Sequence, residues 1–101
     1  MSTFTIVPSS SPGAAYPVPW LVTRSDARHP RVTNVGPDVL DTVRGFVGDR
    51  RGAARTDHWG ALLPGDSAQL CLCAADLAST IVTLAWYRPG TGDEYLWRFV
   101  L

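Results

Sequence analysis

At 101 residues the chain has the length of one domain, able to bury about two-thirds of its unfolded surface without metal or disulfide staples. Its 9 basic and 9 acidic residues cancel, which removes the basic excess that nucleic-acid binding needs, and a hydrophobic content of 46% excludes disorder. No stretch approaches the ~18 apolar residues of a membrane span.

The N-terminal stretch Met1 to Pro8 has neither a basic n-region nor an apolar h-region, so it does not read as an export signal. The expected location is cytoplasmic, although an excised secreted domain with an added start Met reads the same way. Phe4-Thr5-Ile6-Val7 is a short candidate strand stopped by Pro8, and Ser9 to Gly13 is a loop by composition. Tyr16-Pro17-Val18-Pro19 carries proline at alternate positions. That excludes a central strand and leaves an edge segment or a polyproline-like peptide ligand. Trp20 to Thr23 then reads as a strand, residues 25–30 as a polar loop, and Arg31 to Gly36 as a strand running into a turn at Gly36-Pro37-Asp38.

Val39 to Val47 fits two templates. Val39, Leu40, Val43 and Val47 recur at helical spacing, but Thr42, Gly45 and the valines are poor helix formers, so a strand is expected, with Gly45 marking a bulge. Residues 48–58 are polar and unpatterned and read as a long exposed loop, followed by a short strand at 59–63 and a turn at Pro64-Gly65-Asp66. Ser67 to Ala74 alternates, with Ala68, Leu70, Leu72 and Ala74 on one face, and residues 75–79 are a connection.

The closing stretch from Thr80 is the least ambiguous. Two β-branched and aromatic runs flank Pro89-Gly90-Thr91-Gly92, which reads as a hairpin. Pairing Arg88 with Asp93 sets Trp86 against Tyr95, Leu84 against Trp97 and Val82 against Phe99, a core face. A register one residue further would place Arg98 beside Leu84, on the face of Trp86. Truncating a buried Trp97 to alanine should then cost roughly 3–5 kcal/mol. About seven short strands punctuated by Pro/Gly turns make an all-β, antiparallel two-sheet sandwich filling a single domain, residues 1–101.

Two short runs resemble bacterial immunoglobulin-like modules. Asn34-Val35-Gly36 followed by Val39-Leu40 and Val43 is similar to their "N-x-G, then L and V" run, and Leu63-Pro64-Gly65-Asp66-Ser67 before Leu70 to their "L-x-P-G-[DE]-S" turn. The hairpin from Trp86 to Phe99 takes the place of their last two strands. The resemblance covers residues 31–101 and implies an immunoglobulin-like sandwich used for adhesion, spacing or protein contact, with no catalytic residues to carry over.

Candidate chemistry is sparse. Cys71 and Cys73 project from the same face of a strand with Cα atoms about 6.5–7 Å apart, at the limit for an unstrained disulfide, so two reduced thiols are expected. A metal would need His29 or His58 alongside, and a lone C-x-C is not a zinc signature, so no metal or other cofactor is expected. Asp57-His58 and Asp26 with His29 are candidate oriented bases for Ser67 or Ser79, yet no strained nucleophile elbow accompanies them. Arg50, Arg51 and Arg55, with His58, form a candidate loop contact for an acidic partner or phosphate. The remaining signal is aromatic load, 4 Trp and 3 Tyr. The outer hairpin face, Ile81, Tyr87, Leu96, Arg98 and Val100, is the expected surface for self-association or a protein partner. The expected role is a non-enzymatic interaction or structural module; the alternative is a small sandwich hydrolase or ligand binder built on the loop around His58.

Overall fold

The closing hairpin forms in the register its aromatics dictate. Strand β8 (Ile81–Tyr87) pairs antiparallel with β9 (Glu94–Val100), matching Val82 with Phe99, Leu84 with Trp97 and Trp86 with Tyr95. The Arg88 amide donates to the Asp93 carbonyl at 3.3 Å and closes the loop. Trp86 is fully buried, stacked on Tyr95 at 5.9 Å and met edge-on by Trp20 at 5.6 Å. Trp97 packs beside Phe99 at 5.4 Å and is only partly buried.

The structure, a computed structural model, describes residues 5–6, 16–52, 54–88 and 90–101. The expected loop over Ser9 to Gly13 lies outside them, as do Phe4 and Val7 of the first candidate strand. Strands β1 (Thr5–Ile6) and β2 (Tyr16–Pro17) form a minimal antiparallel pair. The rest is two antiparallel sheets. One holds β3 (Trp20–Thr23), β4 (Arg31–Asn34) and β7 (Ser67–Gln69) in the order β3-β4-β7. The other holds β5 (Leu40–Gly48) and β6 (Ala54–Leu62) with the hairpin, in the order β6-β5-β8-β9. Between them lies the core: Trp20, Val32, Leu40, Val43, Leu70, Leu72, Val82, Leu84 and Trp86 among others. Among the described residues no helix is long and apolar enough to cross a membrane, and the only helical element is a 3₁₀ turn at Leu77–Ser79.

Strand β5 is a strand and not a helix, as its β-branched residues demand, but its irregularity is displaced from Gly45. The register shifts between Leu40 and Arg44, where Thr42 takes a φ of 51°, a left-handed conformation that a β-branched residue seldom adopts. Gly45 serves a packing purpose: a Cβ there would lie 2.7 Å from the Trp59 ring. The expected loop over 48–58 is mostly strand. Among the described residues of that stretch only 49–52 lie outside a strand, and β6 begins at Ala54. β6 is an edge strand whose polar residues largely meet solvent, so it lacks the apolar alternation that identifies a half-buried strand.

Asn34 ties the two resemblance motifs together. It is fully buried; its amide nitrogen donates to the carbonyls of Asp38 (2.8 Å) and Leu62 (3.0 Å), and its Oδ1 accepts from the Gly36 amide (3.0 Å). Its backbone carbonyl accepts from Gly65 at 2.7 Å, and its backbone amide donates to the Asp66 carbonyl at 2.9 Å. The turn it grips closes with Asp66 N–H on the Leu63 carbonyl (2.9 Å), Pro64 at its first corner and Gly65 at φ 90° at its second, as a type II turn requires.

Candidate functional site

Two surfaces stand out, and the first is the outer face of the four-stranded sheet. Strand alternation and register place Phe46, Thr83 and Arg98 in one row across the sheet, Ile81 and Val100 in the next, and Arg44, Ala85 and Leu96 on the other side. Phe46 is 38% exposed, Ile81 42%, Leu96 54% and Val100 63%. A shallow depression of about 560 Å³ lies among Phe46, Ile81, Thr83 and Arg98. At its far end the face is polar. Arg44 donates to Glu94 at 2.7 Å and lies over the Tyr87 ring at 5.4 Å. All five hairpin residues singled out from the sequence, Ile81, Tyr87, Leu96, Arg98 and Val100, therefore share one exposed face. Phe46 completes the patch and was not singled out, because its place beside Thr83 depends on the pairing of β5 with β8.

Of the loop-contact residues, Arg50 and Arg51 meet beside residues 74–76. Arg50 pairs with Asp76 at 3.2 Å, Arg51 donates to the Ala74 carbonyl at 3.4 Å, and Arg55 pairs with Asp57 at 2.8 Å. Arg55 and His58 sit on strand β6, not on a loop. Register puts Asp57 opposite Gly45 and His58 opposite Arg44, so the two side chains leave opposite faces and Asp57 does not orient the His58 imidazole.

The second surface lies where the backbone ladder of β4 with β7 continues beyond the two strands. Arg31 pairs with Gln69, and the ladder continues: Leu70 N–H donates to the Pro30 carbonyl at 2.9 Å and Leu72 N–H to the Arg28 carbonyl at 2.7 Å. Pairs 30/70 and 28/72 are thus hydrogen-bonded pairs, and His29 and Cys71 form the non-hydrogen-bonded pair between them, the kind in which facing side chains come closest. Alternation buries Ala68, Leu70 and Leu72 and turns Cys71 and Cys73 outward; Ala74, expected with the buried set, is exposed. The Arg28 guanidinium fastens the segment by donating to the carbonyls of Leu72 (3.1 Å), Cys73 (3.2 Å) and Ala75 (3.5 Å).

The result is a thiol–imidazole corner. The sulfurs of Cys71 and Cys73 are 2.9 Å apart as free thiols, and Cys73 Sγ is 3.4 Å from His29 Nε2. On the far side of the ring, Asp26 Oδ2 lies 2.9 Å from His29 Nδ1. That hydrogen bond raises the His29 pKa and lowers that of Asp26. In the neutral ring it places the proton on Nδ1 and leaves the Nε2 lone pair toward the sulfurs. The Cys73 thiol, hydrogen-bonded to Cys71, brings the Cys71 pKa down to about 7, with help from the Arg55 guanidinium and His29. The same contact raises the pKa of Cys73. A cavity of about 260 Å³ opens beside both sulfurs, bordered by Val47, Arg55 and Leu72.

Of the two oriented bases considered from the sequence, Asp26 with His29 is the one that forms. Neither candidate serine joins it: Ser67 is bonded to Thr33 at 2.7 Å and Ser79 to Asp76 at 2.9 Å. The sulfur at its Nε2 is Cys73, whose pKa is raised, whereas the thiol whose pKa is lowered is its neighbour Cys71. Comparison of the chain with protein-family models, curated proteins and solved structures finds no match.

Proposed function

We propose that the chain is an immunoglobulin-like, non-enzymatic binding module that associates with a second copy of itself through the outer face of its four-stranded sheet. Strand order supports the immunoglobulin-like part. Lettering β3 to β9 in chain order as A, B, C, C′, E, F and G puts A-B-E in one sheet and C′-C-F-G in the other, the division such sandwiches use. The observation that carries the docking part is the run of Phe46, Ile81, Leu96 and Val100 on one exposed face, where a lone sandwich would carry polar residues.

A second copy suits this face better than a charged partner. The chain has a formal net charge of zero, so two copies do not repel, and the polar end of the face already pairs its own charges as Arg44 and Glu94. A two-fold axis through the patch would set the apolar row of one chain against that of the other, with the sheets about 10 Å apart. Sedimentation velocity tests it. The wild type should sediment as a dimer at tens of micromolar, and Leu96→Glu with Val100→Glu should give a monomer that still unfolds cooperatively, since both side chains are exposed on the single chain. A monomeric wild type, or a dimer that survives both substitutions, overturns the proposal.

A further inference from the structure

We infer that His29, Cys71 and Cys73 form a binding site for a divalent zinc-class metal ion, with Asp26 as the carboxylate that positions the histidine. Their donor atoms, Nε2 and two Sγ, all lie within 4.8 Å of one another. Two thiolates and one imidazole are the donor set that zinc prefers. With zinc–sulfur bonds of about 2.3 Å and zinc–nitrogen bonds of about 2.0–2.1 Å, a tetrahedral ion spaces its sulfurs about 3.8 Å apart and a sulfur and nitrogen about 3.6 Å apart. The Cys73 sulfur and His29 nitrogen stand at 3.4 Å, already near that spacing. The sulfurs, at 2.9 Å, must part by roughly 0.9 Å. Cys73 is exposed and Cys71 only half-buried, so side-chain rotation supplies that movement without disturbing the core.

Three features beyond the cluster fit the same reading. The Asp26–His29 hydrogen bond is the carboxylate–histidine arrangement that fixes the ring and tautomer of a metal-bound imidazole. The ladder pairs His29 with Cys71 and the Arg28 side chain clamps the Cys73 backbone, so the ligands are held before any ion arrives. The 260 Å³ cavity leaves room beside the sulfurs for a fourth ligand. Ligation releases to solvent the protons still carried by the two thiols. Three protein ligands leave the fourth position to water or another small donor.

Reduced protein, titrated with Zn²⁺ in a calorimeter and with Co²⁺ as an absorbing substitute, tests the site. One ion per chain is expected, with thiolate-to-cobalt charge-transfer absorption and a tetrahedral ligand-field spectrum. Cys73→Ser and His29→Ala should each weaken binding by more than about 100-fold, beyond the roughly 10–100-fold expected for Asp26→Asn, which alters only the positioning carboxylate. His58→Ala should change nothing. The inference is overturned if reduced protein, both of whose thiols react with a thiol reagent, takes up no stoichiometric Zn²⁺. It is equally overturned if Cys73→Ser binds as tightly as the wild type.

Discussion

Removing the Asn34 amide should unfasten two turns at once. The side chain makes three hydrogen bonds in a fully buried setting: two donated to the Asp38 and Leu62 carbonyls and one accepted from the Gly36 amide. At a net value of about 1 kcal/mol each, Asn34→Ala should cost about 3 kcal/mol, a large share of the 5–15 kcal/mol that holds a domain together. For a chain of this length that lowers the melting temperature by roughly 12–24 °C. Asn34→Asp refines the test. The carboxylate keeps the acceptor for Gly36 but turns its other oxygen toward two carbonyls, so at neutral pH it should be worse than alanine. Burial and the facing carbonyl oxygens raise the folded-state pKa of that aspartate above its unfolded value of about 3.9. Its protonated form is then the one the fold tolerates. The stability of Asn34→Asp relative to wild type should recover as pH falls through the raised folded-state pKa, and be lost as pH rises through it. Urea unfolding followed by tryptophan fluorescence, across pH 4 to 8, measures all three proteins. A loss below about 1 kcal/mol for Asn34→Ala, or a pH-independent Asn34→Asp, would refute the role assigned to this side chain.

Three further outcomes follow from the packing and the thiol corner. Gly45→Ala should cost about 1–3 kcal/mol in the wild type, where the new methyl meets the Trp59 ring, but gain roughly 0.5–1 kcal/mol in a Trp59→Ala background, a sign change that urea unfolding of the four proteins reads directly. Trp86→Ala should cost roughly 3–5 kcal/mol and Trp97→Ala clearly less, since only Trp86 is fully buried; equal losses would mean the hairpin does not pack as described. Alkylation of Cys71 should accelerate as pH rises through about 7, and in Cys73→Ser the midpoint should move because the largest cause of the lowered pKa is gone; an unmoved midpoint counts against the sulfur–sulfur contact.

What the sequence discloses and what it hides divide along physical lines. The hairpin is legible because its two halves are adjacent in sequence and its aromatics agree on one register: Trp86 opposite Tyr95, with Arg98 sent to the other face. The exposed patch follows from that register, apart from Phe46. Strand β6 is not legible, because an edge strand bonded on one side carries Arg55, Thr56, Asp57 and His58 without the apolar period that marks a half-buried strand. Gly45 invites a bulge reading when the glycine serves the Trp59 ring, and the bulge itself sits where the sequence shows a threonine. The thiol corner is hidden for another reason. Cys71 and Cys73 announce themselves, but the third donor lies in a connection about forty residues away, and only the antiparallel register of β4 with β7, carried two pairs past the strand ends, brings His29 opposite Cys71.

The two candidate sites are separable by substitution. Phe46, Ile81, Leu96 and Val100 leave the outer side of one sheet, while His29, Cys71 and Cys73 leave the outer side of the ladder that extends the other; the buried residues alternating with each set meet in a single core. The depression on the first face and the cavity beside the sulfurs share Val47 and Asp49 at one margin, but Leu96 borders neither and Cys73 borders only the cavity, so substitutions at these two positions act on separate sites. Leu96→Glu should abolish pairing of two chains while leaving Zn²⁺ stoichiometry at one per chain. Cys73→Ser should abolish tight Zn²⁺ binding while leaving the sedimentation coefficient unchanged. Loss of metal binding in Leu96→Glu would mean that the corner is completed by the second copy, which the arrangement of its three donors within one chain argues against.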